Sequence, residues 1–291
     1  MEHDLKDRFF LVTGASSGIG LATVDALLAR GAAVTVATRS EVKTAPVLAS
    51  LQARHPGATL FRLQLDLADL RNVQRSAEAY LATGRRLDVV VNNAGVSGGR
   101  TLTADGIDVT VGTDHLGPYL FTKLLLPRLR ESAQGRVVDV ASQAHYSAKA
   151  IDWASLRTPA RGVRESLARY AVAKLMNILH AKELARRLAG STVTTYALHP
   201  GVVASDVWRE VPWPARPVMA VAKLFMIGSE EGAKTSIHCA TAPELAQASG
   251  RYYDKCQERR SSRLSDDPEL ARKLFEWSDE AIDAALSGRA A

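Results

Sequence analysis

The chain alternates short apolar runs with longer stretches in which apolar positions recur every three or four residues. Most runs are almost continuously apolar, which is typical of parallel strands covered on both faces. The runs occupy residues 9–13, 33–38, 60–65, 87–92, 136–141, 192–198 and 251–254. Helical patterns lie around residues 19–30, 41–54, 69–82, 105–131, 166–189 and 230–242. The alternation predicts an α/β fold, a doubly wound parallel sheet of about seven strands with helices on both faces.

The domain organisation follows from the continuity of this pattern. No linker rich in Pro, Gly or Ser, no repeat and no low-complexity tract interrupts it, and it continues past residue 200. We therefore expect one domain over residues 1–291. Residues 264–287 form a last amphipathic pattern, which predicts a helix packed on the domain or on a dimer face. The pattern does not distinguish a monomer from a homo-oligomer.

Charge and cysteine content exclude some classes of partner and site. The formal charge is +6, but the basic residues are interspersed with acids, which indicates a solvated surface and no nucleic-acid site. Cys239 and Cys256 cannot form a disulfide framework, lack partners at metal-ligand spacing, and favour a reducing compartment. Because the N-terminus is charged and no run approaches about 18 apolar residues, we expect a cytoplasmic protein without a membrane anchor.

The first predicted strand ends in a glycine-rich turn. Residues 13–20 read TGASSGIG and lead directly into a helical pattern, so the glycines follow a GxxxGxG spacing. A helix start offers unpaired N–H groups and partial positive charge to a phosphate, and glycines let the backbone approach it closely. The turn predicts a Rossmann-type dinucleotide site, although a glycine turn can also be purely structural. Its cofactor candidates are Gly14, Ser16, Ser17, Gly18, Ile19 and Gly20.

Further cofactor candidates follow the next three strands. Arg39 stands where an acid would accept hydrogen bonds from the adenosine ribose of NAD, and a guanidinium there favours the 2′-phosphate of NADP(H). A solvated arginine is the alternative. Asp66 and Leu67 end the third strand, where Asp66 could contact adenine or cap a helix. The fourth strand leads into Asn93, Ala94 and Gly95, small or amide residues that let the backbone approach a ligand.

The candidate chemistry lies further along the chain. Tyr170 and Lys174 are four residues apart in a helical pattern, so they share one face. A nearby ammonium favours the phenolate form of tyrosine and makes the phenol a useful acid or base near neutral pH. Ser142 follows a predicted buried strand and could hydrogen-bond the same substrate oxygen, although a serine there could also be a cap or turn residue.

Taken together, these motifs resemble the short-chain dehydrogenases/reductases. TGASSGIG, NNAG at 92–95, Ser142, YAVAK at 170–174 and HPGVV at 199–203 occur in that family's order over nearly the whole chain. The resemblance extends to the retinol-dehydrogenase-like branch through the segments DHLG at 114–117, ASQAH at 141–145, LHPGVV at 198–203, EGAKTS at 231–236 and SGRYY at 249–253.

The resemblance implies a role for each site residue. Tyr170 is the general acid/base, Ser142 orients and polarises the carbonyl, and Lys174 binds the nicotinamide ribose while lowering the pKa of the tyrosine. Asp114 stands at the position of the fourth catalytic member. Backbone after Pro200 and Gly201, near Val203, and the hydroxyl of Ser205 are implied to hold the nicotinamide carboxamide.

Three departures from the family pattern bear on these expectations. The family usually has Asn where this chain has Asp114. We expect the backbone carbonyl of Asp114 to keep the relay-water role, but a new carboxylate could alter the relay. Ala173 replaces a common serine beside the lysine, with little expected cost. Animal relatives of this branch often carry a membrane anchor, which we do not expect here.

Three functions remain open at this level. An oxidoreductase acting on an apolar ketone or aldehyde and its alcohol uses the whole Ser/Tyr/Lys set. A dinucleotide-binding interaction or redox-sensing protein without turnover would need neither Tyr170 nor Ser142. A serine hydrolase using Ser142 with His145 or His199 lacks a GxSxG elbow. Residues 203–229 are rich in aromatics and methionine and are the predicted substrate lid, although they could equally pack against a helix or a partner subunit.

Overall fold

Every strand of the described chain belongs to one sheet. The computed structural model describes residues 4–202 and 227–288. The strands are β1 (Phe9–Thr13), β2 (Ala33–Thr38), β3 (Leu60–Gln64), β4 (Val89–Asn92), β5 (Gly135–Val140), β6 (Val193–His199), β7 (Arg251–Asp254) and β8 (Gln257–Glu258). Their order is β3-β2-β1-β4-β5-β6-β7-β8, and all neighbours are parallel except β7 and β8. The predicted α/β doubly wound sheet is confirmed, and its eighth strand is a short antiparallel addition.

Helices cover both faces of this sheet. They are α1 (Gly18–Ala29), α2 (Glu41–Arg54), α3 (Leu70–Ala82), α4 (Gly117–Arg130), α5 (Val163–Arg187), α6 (Ser229–Thr241) and α7 (Pro268–Leu286). Successive side chains of a strand point to opposite faces, so each strand serves two cores. In β1, Phe10 and Val12 pack with α1, α2 and α6, whereas Leu11 packs with α3, α4, α5 and α7.

The strand order reverses between β1 and β4, and this reversal locates the ligand crevice. Strand β1 pairs with β2 on one side and with β4 on the other. The connections that leave their carboxyl ends therefore diverge to opposite sides of the sheet. A crevice opens between them, which is where open parallel sheets bind ligands.

The helix predicted over residues 105–131 is broken in the structure. Residues 103–107 close a turn, in which Gly106 has φ +73° and the Thr103 N–H donates to the Ile107 carbonyl at 2.7 Å. Asp108 then caps a helical turn by accepting from the N–H groups of Thr110 and Val111. A π-helical turn, Gly112–Leu116, separates this turn from α4. Single π turns inside helices are frequent at functional sites.

The last helix, α7, is preceded by a 3₁₀ turn at Arg263–Asp266, packs against α5 and α3, and contacts the π turn through His115. Ser278 of α7 lies 2.9 Å from Nε2 of His115, and Phe275 stacks on His180. Trp277 contacts Trp153, which lies in the connection between β5 and α5. Helix α7 therefore supports the elements that border the crevice.

The predicted lid falls largely on residues 203–226, outside the described residues. Among the helices described, none is long and apolar enough to cross a membrane.

Gly117 offers a test of how closely α4 must approach the crevice. A β-carbon at this position would overlap the carbonyl oxygen of Leu67, which follows β3. We expect Gly117→Ala to lower the free energy of unfolding by about 1–3 kcal/mol, because backbone must move to relieve the overlap. Urea unfolding followed by circular dichroism measures this. Gly228→Ala is the matched control, since among the described residues no heavy atom beyond its chain neighbours lies within 4 Å of its β-carbon position. Equal stabilities of the two variants would contradict the prediction.

Candidate active site

The glycine turn after β1 is shaped by contact with the end of β4. Gly14 and Gly18 have φ values of +66° and +56°, a region that glycine adopts at little cost. A β-carbon on Gly14 would lie 2.7 Å from Cα of Ala94, and one on Gly20 would lie 2.5 Å from Nδ2 of Asn93. The two predicted cofactor motifs are therefore in direct contact, and the glycines make that contact possible.

Thr13 holds these two motifs together, a role that the sequence motifs did not predict. Its hydroxyl oxygen accepts from the N–H groups of Asn93 and Ala94, both at 3.0 Å. In return, Nδ2 of Asn93 donates to the Thr13 carbonyl at 2.8 Å. A threonine directly before a glycine turn was the only sequence signal for this pairing. The resulting rigid floor lies at the reversal of strand order.

A cleft of about 840 Å³ opens over this floor. The predicted cofactor residues that line it are Gly14, Ser16, Ser17, Gly18, Ile19, Gly20, Arg39, Asp66, Leu67, Asn93, Ala94 and Gly95. Residues that were not predicted also line it, among them Arg100, Thr101, Thr113 and Ser229. The size and the glycine backbone fit an extended dinucleotide.

Asp66 and Arg39 occupy different positions in this cleft. Asp69, and not Asp66, caps α3, because its carboxylate accepts from the N–H of Asn72. Asp66 instead accepts from the N–H of Ala68 at 3.0 Å, which keeps its carboxylate in the turn beside the cleft. Arg39 follows β2, is exposed, and contributes a guanidinium at the cleft wall.

The nicotinamide end of the predicted site is only partly described. Gly201 follows Pro200 at the end of β6 and has φ +93°. A β-carbon on Gly201 would meet the side chain of Ile227, whose N–H donates to the Val202 carbonyl at 3.0 Å. Val203 and Ser205, the predicted carboxamide partners, lie outside the described residues.

Lys174 is the charged centre of the site. Its side chain is 5% exposed, and its Nζ donates to the Val140 carbonyl at 3.1 Å and lies 3.0 Å from Oδ2 of Asp114. The ammonium also lies 5.5 Å from the ring centroid of Tyr170 on the same helix. Burial alone would lower the pKa of Lys174, but the neighbouring Asp114 carboxylate and the Tyr170 phenol outweigh it and raise the pKa. The lysine therefore stays charged.

Asp114 is held on three sides. Its Oδ1 accepts from the Val96 N–H at 2.7 Å, its Oδ2 faces Lys174, and its backbone carbonyl accepts from Nδ2 of Asn177 at 2.7 Å. Burial raises the pKa of the Asp114 carboxyl, against the opposing effects of the Lys174 ammonium and the Val96 N–H. Asn177 was not among the site residues predicted from the sequence. Its only signal was a polar residue three positions after Lys174, on the same helical face.

Ser142 lies just after β5, where it begins a 3₁₀ turn at Gln143–Ser147 that packs on α5. Its hydroxyl oxygen accepts from the Ala144 N–H at 3.2 Å, so its own hydrogen is available to an oxygen in the site. The structure thus brings the strand end that carries Ser142 onto the helix of Tyr170 and Lys174.

The two histidines considered for a hydrolase make other contacts. Nδ1 of His145 lies 2.6 Å from the Ser142 carbonyl oxygen, and its Nε2 accepts from the Ser262 N–H. Nδ1 of His199 accepts from the Gln143 N–H at 3.3 Å. Within the described residues, neither ring hydrogen-bonds the Ser142 hydroxyl. The serine-base geometry that a hydrolase needs does not occur there.

Comparison with known proteins identifies the family to which the chain is related. The profile of the family "short chain dehydrogenase" matches residues 8–155. "Dehydrogenase/reductase SDR family member 13" from Bos taurus is 39% identical over 277 residues, covering 94% of this chain and 73% of the relative. "Retinol dehydrogenase 12" from Homo sapiens is 37% identical over 279 residues, covering 96% of this chain and 87% of the relative.

A solved structure extends the similarity to three dimensions. It is the crystal structure of a putative uncharacterized protein from Mycobacterium Paratuberculosis, which is 30% identical in sequence to this chain. The two structures superpose with a TM-score of 0.75, and the match covers 97% of each chain. Fold, motif order and sequence similarity agree across almost the full length. The chain therefore belongs to the short-chain dehydrogenase/reductase family of oxidoreductases, in its retinol-dehydrogenase-like branch.

Proposed function

We propose that the protein is an NADP(H)-dependent oxidoreductase that interconverts an apolar ketone or aldehyde and its alcohol, with Tyr170 as general acid/base. The observation that carries the proposal is the buried Lys174 ammonium, 5.5 Å from the Tyr170 ring centroid. A buried ammonium at this distance has no need of a phenol for its own satisfaction, since Val140 and Asp114 already accept from it or pair with it. Its electrostatic effect on the phenol is the feature that proton transfer requires.

The glycine cradle is suited to the cofactor. Gly14 and Gly20 let the pyrophosphate turn pack directly on Ala94 and Asn93, and Gly95 lies so close to the charged centre that a β-carbon there would lie 3.0 Å from Oδ2 of Asp114. Residues 14–20 would hold the pyrophosphate, and Asn93, Ala94 and Gly95 would lie under the ribose beside Lys174. When bound, the reduced cofactor supplies the hydride for carbonyl reduction.

The chain's own residues would handle the substrate oxygen. Ser142 would donate its hydroxyl hydrogen to the carbonyl oxygen and polarise it, while its own oxygen accepts from Ala144. Tyr170 would give its phenolic proton to the same oxygen as the alcohol forms. Lys174 would bind the ribose and favour the phenolate that remains. In alcohol oxidation the proton would move from the substrate hydroxyl to Tyr170.

Several finer points of the function belong to this proposal. The relatives named retinol dehydrogenases make retinoids natural first substrates to test, alongside steroids, polyketides and aromatic carbonyl compounds. Residues 203–229 remain the proposed substrate lid within a single domain. A cytoplasmic location remains a prediction from the cysteine content, and the oligomeric state is open.

An assay of NADPH oxidation against a panel of apolar aldehydes and ketones tests the reaction. Binding of NADPH without turnover of any compound in either direction would favour a non-enzymatic role.

Cofactor choice can be tested at Arg39. A charge-assisted contact with the 2′-phosphate is worth about 1.5–3 kcal/mol, so we expect NADPH to bind at least about tenfold more tightly than NADH. Arg39→Asp should shrink or reverse this preference. Isothermal titration calorimetry with both cofactors measures it. Arg272→Asp, on α7 and outside the lining of the cleft, is the charge-matched control. Equal dissociation constants for NADPH and NADH in the unmodified protein would refute the assignment.

The proton-transfer role can be tested at Tyr170. Tyr170→Phe should lower kcat by about 10²–10⁴, because general acid/base catalysis is lost, while NADPH affinity stays nearly unchanged. Lys174→Ala should weaken both turnover and NADPH binding. Steady-state kinetics and calorimetry separate the two effects.

Tyr80→Phe is the control for hydroxyl removal, since the Tyr80 hydroxyl donates to the Arg86 carbonyl and Tyr80 is not among the residues that line the cleft. Its turnover per folded molecule should equal that of the unmodified protein. Retention of more than about a tenth of the turnover by Tyr170→Phe would rule out the proposed mechanism.

A further inference from the structure

Asp114 places a second charge in the site beside that of Lys174. Its side chain is fully buried, and its Oδ2 lies 3.0 Å from the lysine Nζ. The hydrogen bond from Val96 to Oδ1 and the hydrogen bond from Asn177 to the backbone carbonyl fix both the side chain and the turn that bears it. Neither of these two hydrogen bonds requires the side chain of residue 114 to be charged. An amide in this place could accept from Val96 in the same way.

The charge of Asp114 acts on Tyr170 through Lys174. An ammonium near a phenol stabilises the phenolate, and a carboxylate in contact with that ammonium opposes the effect. Because both groups are buried, solvent and salt screen this opposition only weakly. The ion pair presents a smaller net positive potential to Tyr170 than a lone lysine would.

Within residues 4–202 and 227–288, the other charged groups near this pair are engaged in contacts of their own. In β5, the carboxylate of Asp139 lies 2.7 Å from Nδ1 of His180 and accepts a hydrogen bond from Nδ2 of Asn92 at 2.8 Å. Asp108, at the start of the turn, accepts from the N–H groups of Thr110 and Val111. Facing Asp108 from α5 are Arg169 and Glu165, which pair with each other. These groups surround the pair in every variant considered below, so their contribution cancels in a comparison.

We propose that Asp114 is a positioning residue that, as the counter-ion of Lys174, raises the pH at which Tyr170 gives up its proton. The inference rests on the proposed role of Tyr170. Its consequence is that the phenol stays protonated over a wider pH range, which is the form that carbonyl reduction uses. Alcohol oxidation, which needs the phenolate, is displaced to higher pH.

Ionisation of Tyr170 can be followed directly in the full-length protein. The chain has seven tyrosines, and labelling them with carbon-13 at Cζ gives resonances that shift when each phenol ionises. The resonance missing from Tyr170→Phe identifies residue 170. In Asp114→Asn, we expect the titration midpoint of Tyr170 to fall by about one pH unit or more, because one opposing buried charge is removed. If Asp114 served only to stabilise the fold, Asp114→Asn would change the thermal stability and leave the titration midpoint of Tyr170 where it is.

Two further variants make the test specific. Asp114→Ala removes the charge together with the hydrogen bond to Val96 and should lower the midpoint in the same direction. Asp279→Asn also removes one negative charge, but from the surface of α7, where it contacts Tyr119 and Lys123. It should leave the Tyr170 midpoint unchanged. Thermal unfolding of each variant confirms that the folded protein is being titrated.

Kinetics provides the second measurement on any substrate that the panel identifies. In Asp114→Asn, the basic limb of kcat/KM for carbonyl reduction and the acidic limb for alcohol oxidation should both move to lower pH by the same amount. A Tyr170 midpoint that is unchanged or higher in Asp114→Asn overturns the inference, whatever the activity. If the midpoint falls but no compound is turned over, the counter-ion stands and the proposed function fails.

Discussion

The buried ammonium of Lys174 constrains everything around it. A charge taken out of water is costly unless partners compensate for it, and here the compensation comes from distant parts of the chain. Strand β5 supplies the Val140 carbonyl, and the π turn supplies the Asp114 carboxylate. Lys174 lies on α5, so its ammonium joins the end of β5 and the π turn to that helix.

A second constraint is the absence of side chains where backbones meet. Gly14 and Gly20 bring the turn after β1 against Asn93 and Ala94, and Gly95 lies against Asp114 and Lys174. The two constraints meet at Gly95, since a β-carbon there would lie 3.2 Å from the lysine Nζ. The glycine cradle and the charged centre are thus parts of one packed arrangement. This explains why motifs some 80 residues apart form a single cleft.

The sequence predicted most of the fold because its signals are local. Buried parallel strands are short and nearly uniformly apolar, so β1 and β2 were predicted with the bounds that the structure has, as was α2. The helix expected over residues 105–131 was wrong at its start because a turn and a π turn interrupt it without breaking the apolar periodicity. Hydrogen bonds inside a turn, such as that from Thr103 to Ile107, leave little trace in such a pattern.

The candidate site likewise contains residues that local sequence patterns predicted and residues that they did not. Its motif residues carry recognisable spacing, whereas Thr13 and Asn177 act through contacts across 80 and 63 residues that no local pattern encodes. Asp114 is the instructive case. The sequence marked it as a departure and predicted that its backbone would preserve the relay, and the structure shows that carbonyl accepting from Asn177 while the carboxylate pairs with Lys174. The Val96 N–H needs only an oxygen acceptor, which aspartate and asparagine both provide. The fold can therefore accommodate either residue, and the choice between them acts on the charge next to the reacting phenol.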